Sequence, residues 1–178
     1  LGYGWDESIR TLQLSDVILY GESGYGVIPA LMIPVGLLAF AGITKAAQMP
    51  FNSWLLGAMV APTPTSALLH SSTMVKAGVF LILKLAPCLG WGNAEYVMVN
   101  YAGIMVMAVG GITFLLASFA AISQSNAKRV LAYSTIANLG LIVVCGGIGT
   151  TAAVWAGIML IIFHAVTKSL LFLCVGTA

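Results

Sequence analysis

Charged side chains are scarce in this sequence of 178 residues. Only 7% of the residues are Asp, Glu, Lys or Arg, whereas a soluble domain carries roughly 25%. Hydrophobic residues make up 60% of the chain, and the mean hydropathy is +1.04. This composition excludes a soluble enzyme and predicts an integral membrane protein surrounded by the lipid bilayer.

The usual sequence signatures of cofactor and nucleic-acid binding are also missing. The cysteines Cys88, Cys145 and Cys174 are isolated, with no CxxC spacing and no His or carboxylate at metal-ligand spacing. The stretch GGIGTT lacks the lysine that a phosphate-binding loop needs. The net charge is only +2, and no basic run is interleaved with aromatic residues. We therefore expect no cofactor, no metal and no nucleic-acid partner.

The beginning of the chain lacks an initiator Met and has neither the basic region nor the apolar core of a signal peptide. We interpret the chain as an internal fragment of a longer protein. Residues 1–26 are polar and Gly-rich and predict a loop segment. Residues 27–178 predict a transmembrane region that is incomplete by itself.

Long apolar runs separated by short polar turns predict an all-α, polytopic membrane helix bundle with about five crossings. The first run exceeds the length of one crossing, and Pro50 within it predicts a helix break near Lys45. The short turn that carries Lys128 and Arg129 is expected to face the cytoplasm or matrix. The later spans are expected at about residues 66–87, 96–123, 130–148 and 152–175, with a return loop at 88–95.

Several basic side chains fall inside these apolar spans. An ionised side chain at the bilayer centre costs about 2.5–3.5 kcal/mol, so a membrane protein keeps one there mainly for function. Lys84 lies near a helix end, where its side chain can reach the interface. The deeper residues are the functional candidates, namely Lys45, His70, Lys76, His164 and Lys168.

His164 and Lys168 are four residues apart, a rotation of about 400° at roughly 100° per residue, so they share one helix face. Lys and His can both exchange protons when water reaches them, and hydroxyl and amide groups on the same helices can hydrogen-bond such water. These groups are Ser66, Ser71, Ser72, Thr73, Ser134, Thr135, Asn138, Thr167 and Ser169. The pattern predicts a proton relay. The spans contain no carboxylate, so we expect its anionic partner outside this chain.

Three motifs carry a family resemblance. They are TKAAQMPFNSWLLGAMVAPTPTSALLHSSTMVKAGVFLI, AKRVLAYSTIANLGLI and FHAVTKSLLFL, in this order. Together they resemble the antiporter-like proton-pumping membrane subunits of respiratory complex I, of energy-converting membrane-bound hydrogenases and of Mrp-type cation/proton antiporters. The resemblance covers roughly residues 27–178. It implies a fold of two inverted helical repeats, each with a broken helix.

The resemblance also implies roles for individual residues. Lys45 matches the central lysine at the helix break, which accepts and releases the transported proton. His70, Lys76, His164 and Lys168 match residues that continue the relay. Leu160 stands where some family members carry a further histidine, one turn before His164.

The presence of both His70 and Lys76 favours the hydrogenase-linked branch or the large complex I subunit. The expected function is proton translocation within a redox-driven NADH:quinone oxidoreductase-like or membrane-bound hydrogenase complex, by a subunit with no redox centre of its own. Its partners would be other membrane subunits and, through them, a peripheral redox arm. We expect a bacterial or archaeal cell membrane, with the mitochondrial inner membrane as another location.

Two alternatives remain open from the sequence. One is a secondary Na⁺/H⁺ antiporter subunit of the Mrp type, which uses the same scaffold but is driven by an ion gradient. The other is a passive scaffold, in which the polar residues only hold helices together.

Overall fold

The computed structural model describes residues 29–71, 73–89 and 101–177. The polar segment expected at residues 1–26 lies outside this part of the chain, as does most of the return loop expected at 88–95. The described helices, which we number in chain order, are α1 Pro29–Lys45, α2 Ser53–Gly57, α3 Thr63–Ser71, α4 Met74–Leu89, α5 Tyr101–Ile122, α6 Ala127–Ile148 and α7 Thr151–Thr177, with a 3-10 turn at Ala58–Val60.

The helices have the lengths that a membrane bundle requires. Four stretches of the described residues are long and apolar enough to cross a bilayer, namely 63–89, 101–122, 127–148 and 151–176. Helix α1 is shorter and ends at Lys45, where the sequence predicts a break. The predicted all-α membrane bundle with a broken first helix is therefore confirmed.

The second crossing, residues 63–89, is described as two helix segments. Helix α3 ends at Ser71, and α4 begins at Met74. The local sequence is rich in hydroxyl side chains, which compete with the backbone for hydrogen bonds, and the Thr73 hydroxyl donates to the Leu68 carbonyl at 3.3 Å. The interruption leaves His70 in the last turn of its helix segment.

Helix α6 lies at the centre and packs against α4, α5 and α7. Its contact with α5 depends on glycine, because a Cβ at Gly110 would lie 2.7 Å from the Gly140 carbonyl oxygen, and a Cβ at Gly140 would lie 2.7 Å from the Gly110 oxygen. In membranes, small residues at such crossings let backbones approach closely and gain packing contacts. The α5–α6 pair therefore forms the close-packed wall on which the other helices are arranged.

Helix α1 packs against α4 through one face. Val35, Ala39 and Ile43 recur every four residues and are buried, as expected for a helical stripe. At the end of this stripe, a Cβ on Gly78 of α4 would lie 2.6 Å from the Gly42 carbonyl oxygen. The backbone of α1 just before its break is thus held directly against α4.

The outer faces of α5 and α7 are apolar. Large exposed side chains on these two helices include Met105, Ile112, Leu115, Phe119, Trp155, Met159, Ile162 and Val166. Such surfaces suit contact with lipid or with further membrane helices. Lys84 is also exposed, in keeping with a side chain that reaches towards the interface.

The close approach of α5 and α6 predicts a position-specific effect of adding one methyl group. Gly110→Ala should destabilise the protein by about 1–3 kcal/mol, because the new Cβ would meet the backbone of α6. Gly111→Ala is the matched control, because the nearest atom to its Cβ is Val144 Cγ2 at 4.0 Å. Unfolding of the purified full-length protein in detergent measures both variants. Equal stability of the two would contradict this packing.

Candidate functional site

Four of the five candidate residues lie close together in the interior. His70 on α3, Lys76 on α4, and His164 and Lys168 on α7 are 0%, 7%, 5% and 4% exposed, respectively. They converge because α7 packs along α3 and also meets α4. The shared face predicted for His164 and Lys168 is therefore the inner face of α7.

Lys76 and His164 form the tightest polar contact of this cluster. The Lys76 Nζ lies 3.0 Å from His164 Nδ1 and donates to the Ile161 carbonyl at 3.0 Å. When the ammonium donates to it, Nδ1 must carry the lone pair, and the ring proton then sits on Nε2. Two positive charges at this distance would repel each other strongly in a membrane interior. The pair therefore holds one positive charge more readily than two.

Lys168 lies one helical turn beyond His164, beside a cavity between α6 and α7. The cavity has a volume of about 260 Å³. Its polar lining combines Lys168 and His164 with Thr167, Ser134 and Asn138, and its apolar lining consists of Leu160, Phe163 and Leu171. A space of this size with several polar partners can hold hydrogen-bonded water. Three of the hydroxyl and amide groups expected near the relay on α6 and α7 therefore line a common space, whereas Thr135 and Ser169 do not line it.

The Lys168 ammonium has one weak partner among the described residues, the Leu131 carbonyl of α6 at 3.4 Å. It also lies near enough to interact electrostatically with both His70 and His164. Lys168 therefore lies near both histidines of the cluster.

His70 is fully buried against an aromatic side chain. Its ring lies 5.0 Å from the ring of Phe172, centroid to centroid, at an angle of 33°. No described residue forms a hydrogen bond with either of its ring nitrogens. Phe172 follows Lys168 by one turn on α7, so the same helix face that carries the relay candidates also packs against His70.

Lys45 lies apart from this cluster. It is the last residue of α1 and is exposed in the described part of the chain. Its backbone touches α4, because a Cβ on Gly78 would lie 3.0 Å from the Lys45 carbonyl carbon. Gly78 follows Lys76 by two residues, so the two residues lie on opposite faces of α4. Helix α4 therefore separates the broken end of α1 from the cluster on its other side.

The break after Lys45 has a defined geometry. Ala47 adopts a left-handed backbone conformation with φ of 51°, which is unusual for a residue other than glycine. Gln48 is fully buried. The Met49 N–H donates to Thr113 Oγ1 of α5 at 3.1 Å, and the Trp54 indole donates to the Thr44 carbonyl at 3.4 Å.

Gln48 and Thr113 are polar residues of this region that sequence reasoning missed. Thr113 is a single buried hydroxyl in the apolar helix α5, and its partner is 64 residues away in the chain. The sequence offered one signal for Gln48, its position two residues before Pro50. Proline has no N–H, and a nearby side-chain amide can donate the hydrogen bond that the proline cannot.

Comparison with known proteins shows which family shares this arrangement. The family described as NADH:quinone oxidoreductase/Mrp antiporter, TM matches residues 7–178. The chain therefore belongs to this family of integral membrane subunits, as its motifs indicated.

Individual relatives point to one branch. A putative antiporter subunit mnhA2 of Staphylococcus haemolyticus is 40% identical over 83% of this chain and 19% of its own length. A relative from Rhizobium meliloti, described as a probable K(+)/H(+) antiporter subunit, is 44% identical over 79% of this chain and 13% of its own length. The solved Mrp complex from Dietzia sp. DQ12-45-1b superposes with a TM-score of 0.74 and 40% identity, over 84% of this chain and 16% of that one.

These relatives favour the Mrp-type alternative over the redox-driven complex. The chain is similar to antiporter-like membrane subunits of the Mrp type. The preference for a hydrogenase or complex I branch, drawn from His70 and Lys76, is not supported, and neither is a peripheral redox arm. The chain spans about a fifth of the length of the relatives it matches, or less.

The contact between Lys76 and His164 can be tested without a transport assay. In a double-mutant cycle with Lys76→Met and His164→Leu, the two changes should be coupled by at least about 0.5 kcal/mol, because the residues touch. Replacing Lys76→Met by Lys84→Met in the cycle gives the control, since Lys84 is exposed on the same helix. Additive effects of the first pair on the free energy of unfolding would contradict the contact.

Proposed function

We propose that this chain forms part of the proton path of an Mrp-type cation/proton antiporter subunit. The observation that carries the proposal is the buried contact between Lys76 and His164, with Lys168 one turn further along α7. A lysine and a histidine in direct contact can transfer a proton without intervening water. Structural helix contacts in membranes rarely need two ionisable groups.

The path continues from His164 to Lys168 through the cavity between α6 and α7. In the structure the His164 ring contacts Lys76 and the Lys168 ammonium contacts the Leu131 carbonyl, so no direct hydrogen bond joins His164 to Lys168. Water held by Ser134, Asn138 and Thr167, which line this cavity, would bridge the gap. His70 is the next residue of the proposed path, because its ring packs against Phe172, one turn after Lys168 on α7.

Lys45 enters the path from the other side of α4. Lys45 is the last residue of α1 and is exposed, so its long side chain is free to extend away from α4. The carboxylate that would attract this charge is assigned to the rest of the antiporter protein. Other membrane subunits of a complex complete the surroundings, as the relatives' description as subunits suggests.

The need for an exchanged cation distinguishes this proposal from redox-driven pumping. A secondary antiporter exchanges protons for a monovalent cation down an existing gradient, so it needs no electron donor. The Rhizobium meliloti relative is described as part of a K(+)/H(+) antiporter, so both Na⁺ and K⁺ are to be tested as the exchanged ion.

Charge removal at the relay residues provides the test. In the full-length protein within its complex, Lys45→Ala, His164→Ala and Lys168→Ala should each lower exchange at least about tenfold, because each removes a proton-transfer group. The assay is the collapse of a pH gradient in everted membrane vesicles after addition of Na⁺ or K⁺.

Lys84→Ala serves as the matched control and should retain the original rate, because Lys84 is exposed and lies outside the cluster. Full exchange by assembled Lys45→Ala and Lys168→Ala variants would instead identify a passive scaffold. A pH gradient that forms only when a quinone is reduced would identify a redox-driven pump.

A further inference from the structure

The break after α1 is held by a residue from a distant helix. The Met49 N–H donates to the Thr113 hydroxyl at 3.1 Å, across 64 positions of the chain. Thr113 is 0% exposed and lies in a helix of apolar and small residues. A buried hydroxyl in such a helix needs a hydrogen-bond partner, and here that partner belongs to the backbone of the break.

This bond replaces one that a continuous helix would make. In an α-helix, the Met49 N–H would donate to the carbonyl of Lys45, four residues earlier. The chain leaves the α-helical pattern just before Met49, because Ala47 has a left-handed backbone and the Gln48 N–H donates to the Ile43 carbonyl. Thr113 then supplies the acceptor that the Met49 N–H needs inside the membrane.

A second replacement lies beside the first. Pro50 has no N–H, so the Ala46 carbonyl cannot receive the helical bond from it. The Gln48 side chain takes this role, because its Nε2 donates to the Ala46 oxygen at 3.1 Å. The Gln48 bond is made within the break itself, whereas the Thr113 bond ties the break to α5. Of these two bonds, only the Thr113 bond fixes the break relative to another helix.

We propose that Thr113 is a positioning residue for Lys45. Its hydroxyl holds the backbone of the break, and so it fixes the point on α4 at which α1 ends and from which the Lys45 side chain extends. This inference rests on the proposed function, in which Lys45 transfers the proton. Without the hydroxyl, the Met49 N–H loses its acceptor, and the break either opens or rewinds towards a continuous helix. Both changes move Lys45.

The test compares two substitutions that differ in one group. Thr113→Val keeps the shape of the side chain but cannot accept a hydrogen bond, whereas Thr113→Ser keeps the hydroxyl. In the full-length complex, Thr113→Val should raise hydrogen–deuterium exchange in residues 46–52 and lower cation/proton exchange, both by roughly tenfold, the usual order for a lost hydrogen bond to a buried group. Thr113→Ser should keep both quantities within about twofold of the original.

Gly110→Ala controls for a general loosening of α5. It disturbs the contact of α5 with α6 one turn away but leaves the Thr113 hydroxyl in place, so it should not raise exchange at residues 46–52. If the Thr113→Val complex does not assemble, Thr113→Cys takes its place, because a thiol is smaller than a valine side chain and only a weak acceptor.

The outcomes separate this inference from the proposed function. Unchanged hydrogen–deuterium exchange in Thr113→Val would overturn the role of Thr113 in the break. Raised exchange with normal transport would overturn its role in placing Lys45. Normal transport by Lys45→Ala would instead overturn the proposed function itself, whatever Thr113 does.

Discussion

The constraint on which this structure depends is that backbone polar groups have no water to bond with at membrane depth. An unbroken helix satisfies them internally, so a broken one needs replacement partners. The break after Lys45 has them in the Gln48 amide and the Thr113 hydroxyl. Each replacement bond also pairs a buried polar side chain, whose burial without a partner would cost free energy. The polar residues of this region are therefore part of the fold as much as of any proton path.

The buried lysine of the relay cluster also depends on replacement hydrogen-bond partners. Lys76 is buried because its ammonium can donate to both His164 and the Ile161 carbonyl. Ile161 and His164 are three positions apart in α7, so the Ile161 carbonyl and the His164 ring lie on one face of the helix. A single helix face thus provides the solvation that water would give elsewhere. These two contacts offset the cost of keeping the Lys76 ammonium inside the membrane.

Sequence reasoning succeeded where the signal is local. Apolar run lengths predicted the spans, Pro50 predicted the break, and the four-residue spacing predicted the common face of His164 and Lys168. It failed where the determinant is tertiary. The contact of Lys76 with His164 joins residues 88 positions apart, and no spacing rule reaches that far. The interruption between α3 and α4 has no proline or glycine, and hydroxyl residues alone are weak predictors of a break.

The separation of Lys45 from the cluster also follows from packing that the sequence does not reveal. Family resemblance places Lys45 first in one relay with the other four residues, but Gly42 and Gly78 hold α1 on the opposite side of α4 from His164. The described residues carry positive charges on both sides of this helix and include no Asp or Glu. Repulsion between two cationic groups across α4 would be reduced by a carboxylate near Lys45. Under the proposed function, such a carboxylate would let Lys45 and the cluster that includes Lys76 of α4 hold protons at the same time with less mutual repulsion.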